Sequence, residues 1–472
     1  MIDITGTYTD QYQLAMAQAY FLSGRGQVSA RFDYFFRKSP CGGGYAIFAG
    51  LEDLLVLLET LHFDESDLAF LRAQQLHPDF VESLRGFRFR GRVHACREGD
   101  VVFPDCPVVT VEASLIEAQL VETLLLNILN YQTLVATKAS RMRLAAGAEA
   151  VLVDFGLRRA PGLGGYAASR AAFVGGFDAT SNVRAGRDYA IPVSGTMAHA
   201  FIQAHDCELD AFRAFAVAHP DHCVLLVDTY DTLNSGVPNA IRVGLELQAR
   251  GQRLLGIRLD SGDLAYLAKQ ARSMLDAAGL HETKIAASNQ IDEHVIKSLR
   301  EQGAPIDLFG VGTSLVTGQP DGALDGVYKL AEVDGRPCLK LSESTDKITI
   351  PCAKQVFRIL DEAGGFWGAD AIAIADEPTV QRMHHPSDPN QSLALAGRAQ
   401  EPLLHPVMSQ GQRLRQPTDL ADIRRYSQQR LGQLPPEYKR FEYPHRYKVG
   451  LSTRLDAERN QLIAAHRRGQ TP

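Results

Sequence analysis

Six short apolar runs in the middle of the chain each close on a polar or glycine-rich tip. Five of the intervals that follow contain a stretch of helical period, and together these features limit what the segment can fold into. The tips are Asp154 (VLVDFG), Ser194 (AIPVSG), Asp228 (VLLVDTYD), Asp260 (GIRLDSGD), Ser288 (IAASNQ) and Gly312 (LFGVGT). Successive tips lie 40, 34, 32, 28 and 24 residues apart, the length of a strand–helix unit. Residues 166–174, 197–218, 239–249, 263–278 and 292–300 repeat apolar positions at three and four, which predicts helices. The runs themselves are apolar throughout instead of alternating, as in strands covered on both faces. The pattern predicts an α/β fold with a parallel sheet, closed as a barrel or doubly wound. Every run ends in reactive or loop-forming residues. This favours an irregular TIM-like barrel, whose site lies at the C-terminal ends of its strands, over an open sheet with one switch point.

The flanks are less regular. Residues 31–36 and 87–98 read as strands, and 116–130 as a long helix. After the last tip, 337–341, 348–350 and 356–360 read as strand pieces, and from Asp376 the chain is polar and rich in Gln, Arg and Pro. With 472 residues the chain has room for two or three domains. The expected division is an N-terminal α/β domain over 1–137 completed by about 335–400, a barrel over 138–334, and a 401–472 extension packed on the core.

Net charge is −6, so no overall field draws the chain to nucleic acid or to an anionic membrane. The start, MIDITGTYTD, lacks the basic and apolar parts of a secretory signal. The most apolar stretches, 51–61 and 120–129, are short and interrupted by Glu, which argues against a membrane span. Seven cysteines occur singly with no CxxC pair, which fits reduced thiols and a cytoplasmic protein.

Chemistry concentrates at the tips. Asp154-Phe155-Gly-Leu-Arg158-Arg159 joins a carboxylate, a ring for stacking and two guanidinium forks for phosphate or carboxylate. Gly162, Gly164 and Gly165 follow and lead into a helix, leaving backbone N–H groups for an anion. His199 lies about one helical turn past the Ser194 tip, where a histidine serves as general base, phosphate acceptor or plain surface residue. Asp228 and Asp260 end neighbouring strands, a costly place for unpaired charge but one that suits magnesium beside a diphosphate. Asp231 and Asp263 fit better as helix N-terminal residues. Strand alternation puts Arg258 and Asp260 on one side. Gly312, Thr313 and Ser314 can offer backbone amides to a phosphate, or simply make a tight turn.

In order along the chain, these tips resemble the nicotinate phosphoribosyltransferase family, one of the type II phosphoribosyltransferases. The resemblance also takes in Thr9-Asp10-Gln-Tyr12, FDYFFRKSPCGGGYAIFAG at 32–50, KITIPCAKQVFR at 347–358 and PHRYKVGLS at 444–452. It implies transfer of a phosphoribosyl group from 5-phosphoribosyl 1-diphosphate to nicotinate, coupled to ATP hydrolysis. That is the first step of NAD biosynthesis from nicotinate. It implies Phe155 stacked on the pyridine ring, with Tyr12 of a neighbouring subunit on the other face, and therefore a homodimer with shared sites. Arg158 and Arg258 would lie near the ribose phosphate and the nicotinate carboxylate. His199 would be the histidine that ATP phosphorylates. Asp228 and Asp260 would surround the ribose and the diphosphate-bound magnesium, directly or through water. Gly312 and Thr313 would cradle the 5′-phosphate, and Thr180, Ser288 and Asn289 would complete the substrate contacts.

An anionic ring substrate requires a pocket without opposing acids. The aspartate that nicotinamide-using relatives place near the amide aligns near Thr180, with Asp178 two residues away. A nicotinamide phosphoribosyltransferase is therefore the rival within enzymes, and a catalytically dead metabolite sensor the rival outside them.

Overall fold

A computed structural model describes residues 4–341, 348–388 and 390–468. Residues 1–3, Lys347 and residues 469–472, all included in the segments above, lie outside them. The chain divides into two compact units, Lys138–Gly322 and a second made of Met1–Thr137 with Ala323–Pro472.

The Lys138–Gly322 unit holds a six-stranded parallel sheet: β1 (Val151–Asp154), β2 (Ala179–Thr180), β3 (Val224–Leu226), β4 (Gly256–Leu259), β5 (Lys284–Ser288) and β6 (Leu308–Val311). Most strand residues are buried, including all of β5 after Lys284, which is why the runs lack alternation. The spatial order is β2-β1-β6-β5-β4-β3. The first strand pairs with both the second and the last, Asp154 with Thr180 on one side and Val311 on the other. In this order β1 lies between β2 and β6, and β2 and β3 are the outer strands, with a seam between them. Among the described residues no ladder closes the seam.

The run expected to end at Ser194 explains the opening. It forms no strand, only the isolated parallel bridge Thr180–Val193. Ala190 takes a left-handed conformation (φ 54°), and Pro192 has no N–H to give a ladder. The pairing strand is instead the short β2, unmarked by any apolar run. The helix expected over 197–218 is two helices, His199–Gln203 and Glu208–Ala218. Helices Gly164–Val174, Val237–Gln248, Leu264–Ala277 and Glu293–Glu301 fall where the periodicity places them. Asp263 caps its helix by accepting from the Tyr266 N–H at 3.0 Å. Asp231 caps a single π-helical turn, Thr232–Gly236, by accepting from the Asn234 N–H at 2.9 Å.

The second unit corrects the reading of the flanks. Residues 326–333, assigned to the barrel, form a strand antiparallel to Ser29–Phe36 in a seven-stranded sheet of the other unit. The expected strand over 87–98 narrows to Arg92–Ala95, that over 337–341 shifts to Arg336–Pro337, and 348–350 forms none. The helix expected over 116–130 is Leu115–Leu120 followed by Glu122–Ala146. The polar tail, expected only to pack on the core, supplies strands to two sheets. His405–Ser409 extends the seven-stranded sheet, and Lys448–Ser452 sits inside a six-stranded one, parallel to Phe366–Ile374. Buried Met408 and Leu451 carry those strands into the core. Charge also fastens the tail. Fully buried Arg358 donates to Asp100 at 2.9 Å and to Asp370 at 2.9 Å, and Arg430 donates to the same Asp100 oxygen at 2.9 Å. Breaking one partner of such a network typically costs about 3–5 kcal/mol.

Candidate active site

The C-terminal ends of β1, β3, β4 and β5 carry one connected set of side chains. Arg258, on β4, is its hub. Its Nε donates to Ser288 Oγ (2.8 Å), Nη2 to Asp260 Oδ1 (2.7 Å), and Nη1 to Thr196 Oγ1 (3.1 Å) and the Met197 carbonyl (3.3 Å). Its guanidinium lies 5.4 Å from the centre of the Phe155 ring, within cation–π range. The arginine thus ties β4 and β5 to the segment beyond Val193, on the far side of the open seam. The alternation that placed Arg258 and Asp260 on one side is the alternation seen.

Asp260 accepts from Arg258 and also from the Ser288 hydroxyl. Burial pushes its carboxyl up, but those hydrogen bonds and the charges of Arg258 and His199 outweigh burial and hold it below the ordinary carboxylate range. Asp228 Oδ2 accepts from the Asp260 N–H (2.8 Å) and from Ser261 Oγ (2.6 Å). Its other oxygen, Oδ1, is buried and has no hydrogen-bond partner among the described residues. His199 is 40% exposed at its side chain; Nδ1 is 3.1 Å from Thr229 Oγ1, and Nε2 is 3.9 Å from Asp260 Oδ2.

Phe155 owes its place to a glycine. A Cβ on Gly310 would fall 2.3 Å from Phe155 Cε2, so only glycine leaves room for the ring. Beside it, Asp154 is a structural carboxylate. It accepts from Ser169 Oγ (2.7 Å), Thr180 Oγ1 (2.8 Å) and the Gly156 N–H (2.7 Å), and burial raises its pKa against those bonds. The Thr180 hydroxyl is therefore committed inward, and Thr180 is 1% exposed. Asp178 sits two residues short of the tip, where it pairs with Arg143 and accepts from the Leu152 N–H at 2.8 Å.

The remaining expected residues are set apart from this network. Arg158, Asn289 and Thr313 are exposed, and Gly312 is half-buried with Phe155 O 3.3 Å from where its Cβ would stand. Asn289 and the following Gln290 both have positive φ (77° and 50°), a strained pair at a strand end of the kind found at binding sites. Tyr12 belongs to the other unit. It lies in the helix Gln11–Leu22, is 49% exposed, and its pKa is raised by burial and by Glu122 and Asp10. Sequence reasoning missed Thr196, Thr229 and Ser261. The only signal for Thr229 was its place inside the DTYD tip, and for Thr196 its place two residues past the Ser194 tip.

A parallel sheet with arginine, histidine and carboxylates at the C-terminal ends of its strands defines an α/β enzyme with its site at that end. Comparison with known proteins gives the family. Profiles described as the nicotinate phosphoribosyltransferase (NAPRTase) N-terminal domain, family and C-terminal domain match residues 7–130, 150–385 and 353–458. A nicotinate phosphoribosyltransferase of Bacillus subtilis (strain 168) is 46% identical over 98% of this chain and 96% of its own. One of Homo sapiens is 36% identical over 98% and 97%. The crystal structure of human nicotinic acid phosphoribosyltransferase superposes with a TM-score of 0.86 at 34% identity, covering 96% of this chain and 99% of that one. The chain belongs to the nicotinate phosphoribosyltransferase family.

Proposed function

We propose that the protein transfers the phosphoribosyl group of 5-phosphoribosyl 1-diphosphate to nicotinate, giving nicotinate mononucleotide and diphosphate, with ATP hydrolysis coupled through His199. The observation that carries this reading is the Arg258 hub, which joins the Phe155 ring, Asp260 and the His199-bearing segment in one network at the strand ends. The pyridine nitrogen attacks the anomeric carbon while the bond to diphosphate breaks. Positive charge grows on the ribose, and Asp228 and Asp260 would supply the carboxylates that stabilise it. Phe155 holds the ring flat, backed by the Arg258 charge, and Arg158 is open to the phosphate or carboxylate of a substrate. Gly312, Thr313, Ser288 and Asn289 line the ends of β5 and β6 as the phosphate side of the site. Placing the reactants in line is where such a site gains most of its rate.

Magnesium fits the carboxylates present. No cluster of three or more His, Cys, Asp or Glu suited to a metal occurs among the described residues. Magnesium with a diphosphate, however, needs only one or two carboxylates. The unpartnered Asp228 Oδ1 and the Asp260 oxygen facing His199 are the free ligands. Bound there, magnesium would supply charge neutralisation to the departing diphosphate. When His199 Nδ1 donates to Thr229, Nε2 keeps its lone pair and is the nitrogen that accepts the γ-phosphoryl group of ATP, with ADP leaving. Phosphohistidine hydrolysis then returns the enzyme.

The acid is preferred to the amide because the acids around β2 are neutralised. Asp178 pairs with Arg143, Asp154 is enclosed by three donors, and Thr180 carries no charge. Comparing kcat/KM for nicotinate and nicotinamide tests this: nicotinate is expected to win by at least about 100-fold, the scale set by one unpaired buried polar group. Preference for the amide refutes the substrate assignment. A homodimer sharing its sites follows from the same reading, supported by the exposed Tyr12 ring. A cytosolic setting is supported by the seven cysteines, all free thiols. Among the described residues no helix is long and apolar enough to cross a membrane.

Gly310→Ala separates stacking from chemistry. The added methyl displaces the Phe155 ring, an overpacking cost of about 1–3 kcal/mol. The KM for nicotinate is expected to rise about tenfold or more, with kcat within about twofold. Steady-state kinetics check it.

A further inference from the structure

The open seam is crossed a second time, behind the His199–Thr229 contact. Glu208, the first residue of helix Glu208–Ala218, is 5% exposed. Its Oε2 accepts from Ser235 Oγ (2.6 Å) and Asn239 Nδ2 (2.9 Å), and Asn239 Nδ2 also reaches Ser235 Oγ (3.3 Å). Its Oε1 is buried without a hydrogen-bond partner, and no cation pairs with the carboxylate among the described residues. A buried carboxylate without a cation is costly, and the positive end of its own helix offsets only part of that. An apolar side chain would start this helix at lower cost. What the carboxylate alone offers is an acceptor for the two donors beyond β3.

One of those donors, Ser235, lies within a π-turn, Thr232–Gly236, and the other, Asn239, three residues past it; the form is rare in helices and frequent at functional sites. The turn is closed by the Gly236 N–H to the Asp231 carbonyl at 2.8 Å and backed onto the residue just past β3, where a Cβ on Gly236 would stand 1.8 Å from the Val227 carbonyl oxygen. Thr229 lies between those anchors. Glu208 is nine residues beyond His199, and Ser235 is six beyond Thr229. The two short arms are therefore joined at both ends, by His199–Thr229 in front and by Glu208–Ser235 behind.

We infer that Glu208 is a positioning residue for His199. Through Ser235 and Asn239 it fixes the π-turn, which sets where Thr229 meets the imidazole, and so governs phosphoryl transfer to His199 without touching the pyridine or ribose chemistry. This rests on the reading of His199 as the phosphate acceptor.

The test uses the full chain with γ-labelled ATP, scoring acid-labile phosphoenzyme, and measures nicotinate mononucleotide formation with and without ATP. Glu208→Met keeps the volume and loses the acceptor; Glu208→Gln keeps an acceptor. Glu208→Met is expected to slow phosphoenzyme formation about tenfold or more, as small misplacements of reacting groups do. The ATP-independent rate and the KM for nicotinate should stay within about twofold. Glu208→Gln should recover most of the loss. Should Glu208→Met fail to fold, Ser235→Ala removes one donor and is expected to show a smaller loss in the same direction. Normal phosphoenzyme formation in Glu208→Met, or an equal fall with and without ATP, overturns the role. A phosphoenzyme that persists in His199→Ala overturns the reading beneath it instead.

Discussion

Replacing His199 with Ala is expected to remove the phosphoenzyme and all stimulation by ATP, while leaving ATP-independent transfer within about threefold of the parent enzyme. The expectation follows from position. His199 stands at the strand ends, 40% exposed, with Nδ1 at Thr229 and Nε2 turned toward the free oxygen of Asp260. Neither contact involves Phe155 or the fork of Arg258, so binding of the ring is untouched. A nucleophile that forms a covalent intermediate has no substitute at its place, so its loss is complete for that step. Phosphoryl transfer to His199 adds about two negative charges beside Asp260 at neutral pH. In the proposed coupling, repulsion between those charges and Asp260 would rearrange the site and link ATP to product formation. Retained ATP stimulation in His199→Ala would refute this account of coupling.

Arg258→Ala is expected to lower kcat/KM for nicotinate by about 10²- to 10³-fold. The change removes the platform behind Phe155 and leaves Asp260 half-buried with its main cation gone; truncating one partner of such a pair costs about 2–5 kcal/mol. It also frees Thr196 and Met197, so the His199 segment loses its tie to β4. Arg258→Lys is expected to recover little. An ammonium has no planar fork to serve Ser288, Asp260 and the Met197 carbonyl together. Loss of Asp260's main cation also raises its carboxyl pKa. The acid limb of the pH–rate profile should accordingly move to higher pH in Arg258→Ala, and less in Arg258→Lys, which keeps a positive charge; a stability defect alone would not produce this.

How far the sequence reveals this site depends on how local each signal is. The tips at Asp154, Asp228, Asp260, Ser288 and Gly312 were legible because each closes a buried strand, and burial on both faces leaves an unbroken apolar run. The tip at Ser194 looked the same and forms no strand, since an apolar run records burial and not hydrogen bonding. β2 was invisible because two residues are too few to show a period. The tail misled for the opposite reason: Met408 and Leu451 sit in five-residue strands with polar residues at both ends, too short to show a period, and those strands are held by partners far along the chain. The Arg258 hub was legible only in part. Alternation gave its link to Asp260, but its contacts at Thr196 and Met197 come from a loop some 60 residues earlier, and no spacing rule reports them. Asp178 was ambiguous until the register beside Leu152 showed its carboxylate turned to Arg143.

The most direct measurement is of product. The full chain is incubated with nicotinate, 5-phosphoribosyl 1-diphosphate, magnesium and ATP, and nicotinate mononucleotide is quantified against ADP released. Formation of nicotinate mononucleotide, with ADP appearing in step and both falling together when His199 is Ala, is the predicted result. Binding of the substrates without turnover, or nicotinamide mononucleotide made faster from nicotinamide, would contradict it.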